Sequence, residues 1–113
     1  MQMLILTFDG PRTEEQVRAA EHASRQRIMP LLDTDPDLAG VVGTFRAVGP
    51  DGAQAVVVLA RDAATLATLR ERVTTSPLLP GEDPALLPGP DRSTELTVAD
   101  ATGACAHLGE VAS

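Results

Sequence analysis

Two stretches of this chain, Met3 to Phe8 and Ala55 to Ala60, read as β-strands that are apolar on both faces. A strand with one wet face alternates polar and apolar residues, so a strand dry on both sides has to be covered twice. Around them the patterns run strand, helix, strand, turn, strand, helix, loop, strand. That βαββαβ order puts both helices on one side of an antiparallel sheet, with strands one and three in the middle and strands two and four at the edges. Helices therefore cover one face of the central strands, and something else must cover the other.

Local signals fix the element ends. Thr13, Glu14, Glu15 and Gln16 form a capping box that starts the first helix, and Glu14 and Glu15 suit its positive end. Val17, Ala20, Ser24 and Ile28 recur at helical spacing as the inward stripe, until Pro30 ends or kinks the helix. Asp33 to Asp37 reads as a loop, and Leu38 to Val48 as the second strand. Gly49, Pro50, Asp51 and Gly52 form a hairpin turn, with proline setting one corner and glycine supplying a positive φ. Asp62 caps the second helix, whose inward stripe is Leu66, Leu69 and Val73. A proline-rich stretch from Pro77 to Asp91, with Leu-Leu-Pro-Gly repeated at Leu78 and Leu86, is long enough to be a lid or a connector. Thr94 to Ala99 is the last strand. The domain is expected over 1–100, followed by a small-residue tail over 101–113. Alternation places Leu4, Leu6 and Phe8 on one face of the first strand and Met3, Ile5 and Thr7 on the other.

Composition narrows the function classes. At 113 residues with a hydrophobic content of 43%, one domain can bury an ordinary core without a disulfide or metal. Phe8 and Phe45 are its only aromatic residues, which argues against recognition of a planar ligand by several stacked rings. A net charge of -7 repels phosphate backbones, and all 9 basic residues are scattered arginines, so no nucleic-acid partner is expected. The single cysteine, Cys105, fits a reducing compartment, and the apolar start is too short to span a membrane. These signs imply a cytoplasmic protein with no membrane partner.

The strand and helix order, the chain length and the hairpin at Gly49 to Gly52 resemble the dimeric α/β barrel superfamily, and within it the antibiotic biosynthesis monooxygenase-like group. The resemblance covers residues 1–100 in pattern and rests on no short motif. It implies a ferredoxin-like α+β fold with a four-stranded sheet, paired face to face with a second copy as a homodimer. It also implies a small-molecule enzyme that works without cofactor or metal on an apolar polyketide- or quinol-like substrate, by stabilising a carbanion or enolate that reacts with oxygen or cyclises. The alternative is a non-catalytic dimer that binds a ligand or partner.

Within that frame the candidate catalytic residues are Arg46, Ser24 and His22. Arg46 shares a face of the second strand with Val42, Thr44 and Val48, where a fixed cation can hold an anion; an edge arginine also serves solubility. Ser24 lies in the inward stripe beside Ala20, and either lines a cavity or lets the helix approach the sheet. His22 has the right acidity for a base, but its phase turns it about 140° from Val17 at 100° per residue, toward solvent. Gln16, Thr44, Phe8 and Phe45 are the expected substrate contacts. His107 and Cys105 in the tail are too few to close a metal site. Asp33, Asp35 and Asp37 alternate like a calcium loop, yet Leu38 stands where glycine is needed and Thr44 where the closing glutamate belongs.

Overall fold

The four strands form one antiparallel sheet in a computed structural model that describes residues 1–107. The end of the tail expected over 101–113 lies outside the described residues. The strands are β1 (Gln2–Phe8), β2 (Val41–Val48), β3 (Gln54–Ala60) and β4 (Arg92–Thr97), in the order β2-β3-β1-β4. With the helices on one side this is the ferredoxin-like α+β fold. The central strands are the two most apolar ones, as the double-dry pattern requires.

Register assigns the faces. Leu4 lies opposite Val58, Leu6 opposite Val56 and Phe8 opposite Gln54. These side chains face the helices. Met3, Ile5 and Thr7 share the other face with Leu59, Val57 and Ala55, and the register adds Phe45 from β2 and Leu96 from β4. Phe45 is 58% exposed and Leu96 49% exposed, so this apolar face is open.

One long helical stretch follows β1: α1 (Glu14–Ala23), a π-turn (Ser24–Ile28) and α2 (Met29–Thr34). Pro30 cannot donate and its ring crowds the carbonyl one turn back, a clash that a widened turn relieves. The helix is thus re-phased at Pro30 and carries on to Thr34. A 3₁₀ turn (Pro36–Leu38) then replaces the start expected for the second strand, because the Asp35 carboxylate accepts from the Asp37 N–H and Pro36 favours the turn. Leu38 is buried in the core instead of extended in a sheet. β2 carries a bulge between Val41 and Gly43, so Val41, and not Val42 as expected, joins the face of Thr44 and Arg46 and packs on the core. The last strand begins at Arg92, before the expected Thr94, since Arg92 pairs across to Thr7.

α3 (Ala63–Thr75) starts at Asp62, whose carboxylate accepts from the Thr65 N–H, and stops before Ser76 and Pro77. It packs on β1 and β3. The buried core is Leu4, Leu38, Val58, Ala60, Leu66 and Leu69, joined at its edge by Leu31, Leu32 and Val73. Each leucine buried there contributes roughly 1.5–3 kcal/mol. No residue of α1 belongs to this cluster.

The proline-rich loop after α3 is pinned. Its short 3₁₀ turn (Pro84–Leu86) packs on α1, and Glu82 accepts from Arg27 of the π-turn at 3.1 Å and from the Leu79 N–H at 2.8 Å. The Glu82 side chain is 3% exposed and that of Arg27 12%, so the ion pair is buried.

Candidate functional site

The β1–α1 loop and the β2–β3 turn meet at one end of the sheet. The Arg12 N–H donates to the Asp51 carbonyl at 2.8 Å, and Gly52 closes the turn with a φ of 87° and its N–H on the Gly49 carbonyl. A β-carbon on Gly52 would stand 3.0 Å from the β-carbon of Arg12 and 3.1 Å from Val17 Cγ2. Only glycine gives both the conformation and the room.

Arg12 leaves this junction over the ring of Phe8, with its guanidinium carbon 5.5 Å from the ring centroid. Nη2 reaches the Gln16 carbonyl at 3.5 Å, and Nη1 is buried with no hydrogen-bond partner among the described residues. Phe8 is half-buried and lies directly opposite Gln54, which is 8% exposed. Gln54 Oε1 accepts from Arg46 Nη1 at 3.2 Å. Arg12 and Arg46 therefore approach the same end of the helix-facing side through the neighbouring pair Phe8 and Gln54.

The charge pattern sets these two arginines apart. Arg25, Arg27, Arg70, Arg72 and Arg92 each hold a carboxylate. Arg18 and Arg61 hold none among the described residues and are exposed, as solvated cations should be. Arg12 and Arg46 are half-buried and have no carboxylate among the described residues, although acids outnumber bases 16 to 9 in the chain. Buried cations are ordinarily paired. A group of donors without an acid can receive an anion, or negative charge developing on an oxygen.

The expected site residues divide around this cluster. Arg46 and Phe8 belong to it. Gln16 touches it through its backbone carbonyl, but its side-chain oxygen accepts from the Thr13 N–H at 2.9 Å in the capping box and is committed there. Ser24 is half-buried at the start of the π-turn, and no hydrogen bond of its hydroxyl is found among the described residues. Thr44 is exposed on the helix-facing side of β2, while Phe45 points to the open face of the sheet, away from Arg46. His22 is exposed on α1, in keeping with its outward phase. Arg12 and Gln54 are absent from the expected set. Gln54 had a visible signal, since it is the polar residue two positions before Val56 on the same face; Arg12 had none, because its role depends on the return of the chain at Gly52.

An open depression of about 410 Å³ lies elsewhere, beside α3, and is lined by Asp37, Asp62, Thr65, Thr68, Glu71 and Arg72. Its charged groups are mostly committed. Arg72 donates to Asp35 at 2.9 Å and to Asp37 at 2.7 Å, and the bond to Asp35 holds its pKa above the ordinary arginine value. Bonds from the Thr65 hydroxyl and N–H hold Asp62 below the usual carboxylate value. Two of the three alternating aspartates thus grip Arg72, and no group of three metal-ligating side chains occurs among the described residues. No helix among the described residues is long and apolar enough to cross a membrane.

No protein-family model and no curated protein matches the chain. Among solved structures it is similar to a monooxygenase from the gene ActVA-Orf6 of Streptomyces coelicolor, determined in complex with the ligand nanaomycin D. The two share 19% identity with a TM-score of 0.54, and the alignment covers 89% of each chain. The likeness lies in the fold, and it agrees with the ferredoxin-like order of strands and helices described above.

Proposed function

We propose that the chain is a small-molecule enzyme of the cofactor-independent monooxygenase or cyclase kind, acting on an apolar polyketide- or quinol-like substrate on the α1 side of the sheet. The observation that carries this reading is the half-buried Arg46, bonded to buried Gln54 and free of any carboxylate among the described residues. A substrate that gives up a proton to solvent water, from the carbon next to a carbonyl or from a phenol hydroxyl, places negative charge on oxygen. Arg46 and the Gln54 amide donate to that oxygen and favour the enolate, which then reacts with oxygen or cyclises. Phe8 offers the apolar wall, and the Ser24 hydroxyl is available to orient the substrate. His22 takes no proton step in this scheme, because its exposed position separates it from Arg46.

The fold likeness to a monooxygenase supports the reading, and nanaomycin D is the first ligand to titrate. The test is oxygen uptake with 1,4-dihydroxynaphthalene. Acceleration by the chain, reduced about 100-fold or more in Arg46→Gln, is expected. Binding of these compounds without turnover would favour the non-catalytic ligand-binding reading, which gains some support from the cluster holding neither a carboxylate nor an imidazole.

The open face of the sheet, with Phe45 and Leu96 exposed, supports a homodimer built through it. Size-exclusion chromatography with light scattering should report twice the chain mass. A stable monomer at micromolar concentration would remove the face-to-face pairing.

A further inference from the structure

We infer that Arg12 forms an anion subsite, so that the ligand taken on the α1 side of the sheet is an apolar carboxylic acid. This rests on the reading that a small apolar ligand binds there, and goes beyond it by specifying the ligand's charged end. Arg12 is positioned as a binding group: its N–H is tied to Asp51, its stem is seated against Gly52, and its guanidinium lies over Phe8. Nη1 is buried without a partner among the described residues, and Nη2 has only a long 3.5 Å bond to the Gln16 carbonyl. Once the side chain shifts off the Gln16 carbonyl and uncovers Nη1, those adjacent nitrogens form the fork that a planar carboxylate matches with two parallel bonds. The other half-buried, carboxylate-bearing arginines, Arg27 and Arg72, show what this chain does when a guanidinium has its own acid.

The chemistry around Arg12 selects the rest of the ligand. Phe8 lies under the guanidinium, so an apolar body adjoins the charged end. The chain's net charge of -7 opposes the approach of polyanions, which favours a single carboxylate over a phosphate ester or nucleotide.

The test is calorimetric titration of the full chain with 2-naphthoate and with 2-naphthamide, a neutral ligand of the same shape. Wild type should bind the acid at least tenfold more tightly. Arg12→Gln should bring the ratio to about one while leaving the affinity for the amide within twofold, and Arg18→Gln, the same charge change at an exposed site on α1, should keep the wild-type ratio. A ratio that survives Arg12→Gln, or equal binding of acid and amide by wild type, overturns the inference. If Arg12→Gln does not fold, Arg12→Lys keeps the charge and loses the fork, and must lower the ratio at least threefold; an unchanged ratio overturns the inference. The outcomes separate cleanly from the enzyme reading. Amide binding with no preference for the acid sinks the anion subsite alone, acid preference without oxygen uptake sinks the enzyme alone, and no binding of either compound sinks both.

Discussion

On the α3 flank of the sheet, Leu66 and Leu69 enter one buried cluster with Leu4, Val58 and Ala60, and the nearby Arg72 is gripped by Asp35 and Asp37. On the α1 flank, α1 turns small residues inward and adds nothing to that cluster before it breaks into a π-turn, and Arg12 and Arg46 at its end of the sheet have no acid among the described residues. The same sheet thus supports one helix that closes a core and one that leaves polar groups uncommitted. The buried apolar cluster and the arginines without an acid among the described residues thus sit on different flanks of one sheet. Arg27 and Glu82 link the two, since their buried pair holds the proline-rich loop on the π-turn, between α1, which lies outside the core cluster, and α2, whose Leu31 and Leu32 pack at its edge.

The largest expected effect lies on the closed flank. Leu66→Ala should cost about 4 kcal/mol in urea unfolding, because it empties a fully buried position, whereas Val17→Ala on α1 should cost about 1 kcal/mol. Equal losses would break the contrast. Next comes Glu82→Gln, which strands the Arg27 guanidinium and should cost about 3 kcal/mol, with faster amide exchange through residues 79–87. The paired change Arg27→Met with Glu82→Leu should recover most of the stability. If the double variant is as unstable as the single one, the ion pair is not what holds the loop.

How much of this was readable beforehand depends on the range of the interaction. Periodicity of two fixed which residues of β1 face the helices, and the register agrees for every position from Met3 to Phe8. The Thr13 capping box is likewise a local fact. It also shows a limit, since the Gln16 side chain that announced the helix start is spent there and is not free for a substrate. An inserted residue defeats periodicity: the β2 bulge exchanged Val42 for Val41, and the π-turn re-phased the helix after Ser24. Contacts between distant segments left no local trace. Nothing near Glu82 announces Arg27, and nothing near Arg12 announces Gly52.

Gly52→Ala is the next test of the open flank. The new β-carbon would meet Arg12 and Val17 at about 3 Å and would have to adopt a φ of 87°. We expect a loss of about 2 kcal/mol, together with weaker selection of 2-naphthoate over 2-naphthamide, because the seat of Arg12 moves. Loss of stability with an unchanged preference would show that the turn supports the fold and leaves Arg12 in place.

The smallest effect separates the two helix starts by acidity. α1 is capped by Thr13 and Gln16, neither of which titrates, while α3 is capped by Asp62, whose pKa is lowered by the Thr65 hydroxyl and N–H. A depressed folded-state pKa means that Asp62 contributes its stability in full above the unfolded carboxylate value and loses it as pH falls through the lower folded value. Arg72, raised above an already high value by Asp35 and Asp37, does not itself titrate in this range. Acid should therefore loosen the Thr65 amide while the Gln16 amide keeps its protection in hydrogen exchange, after correction for the intrinsic rate. Asp62→Asn, which can still cap but cannot titrate, should remove that difference. Parallel loosening of both amides in wild type would mean that acid acts on the whole domain, and the two flanks would then share one stability instead of two.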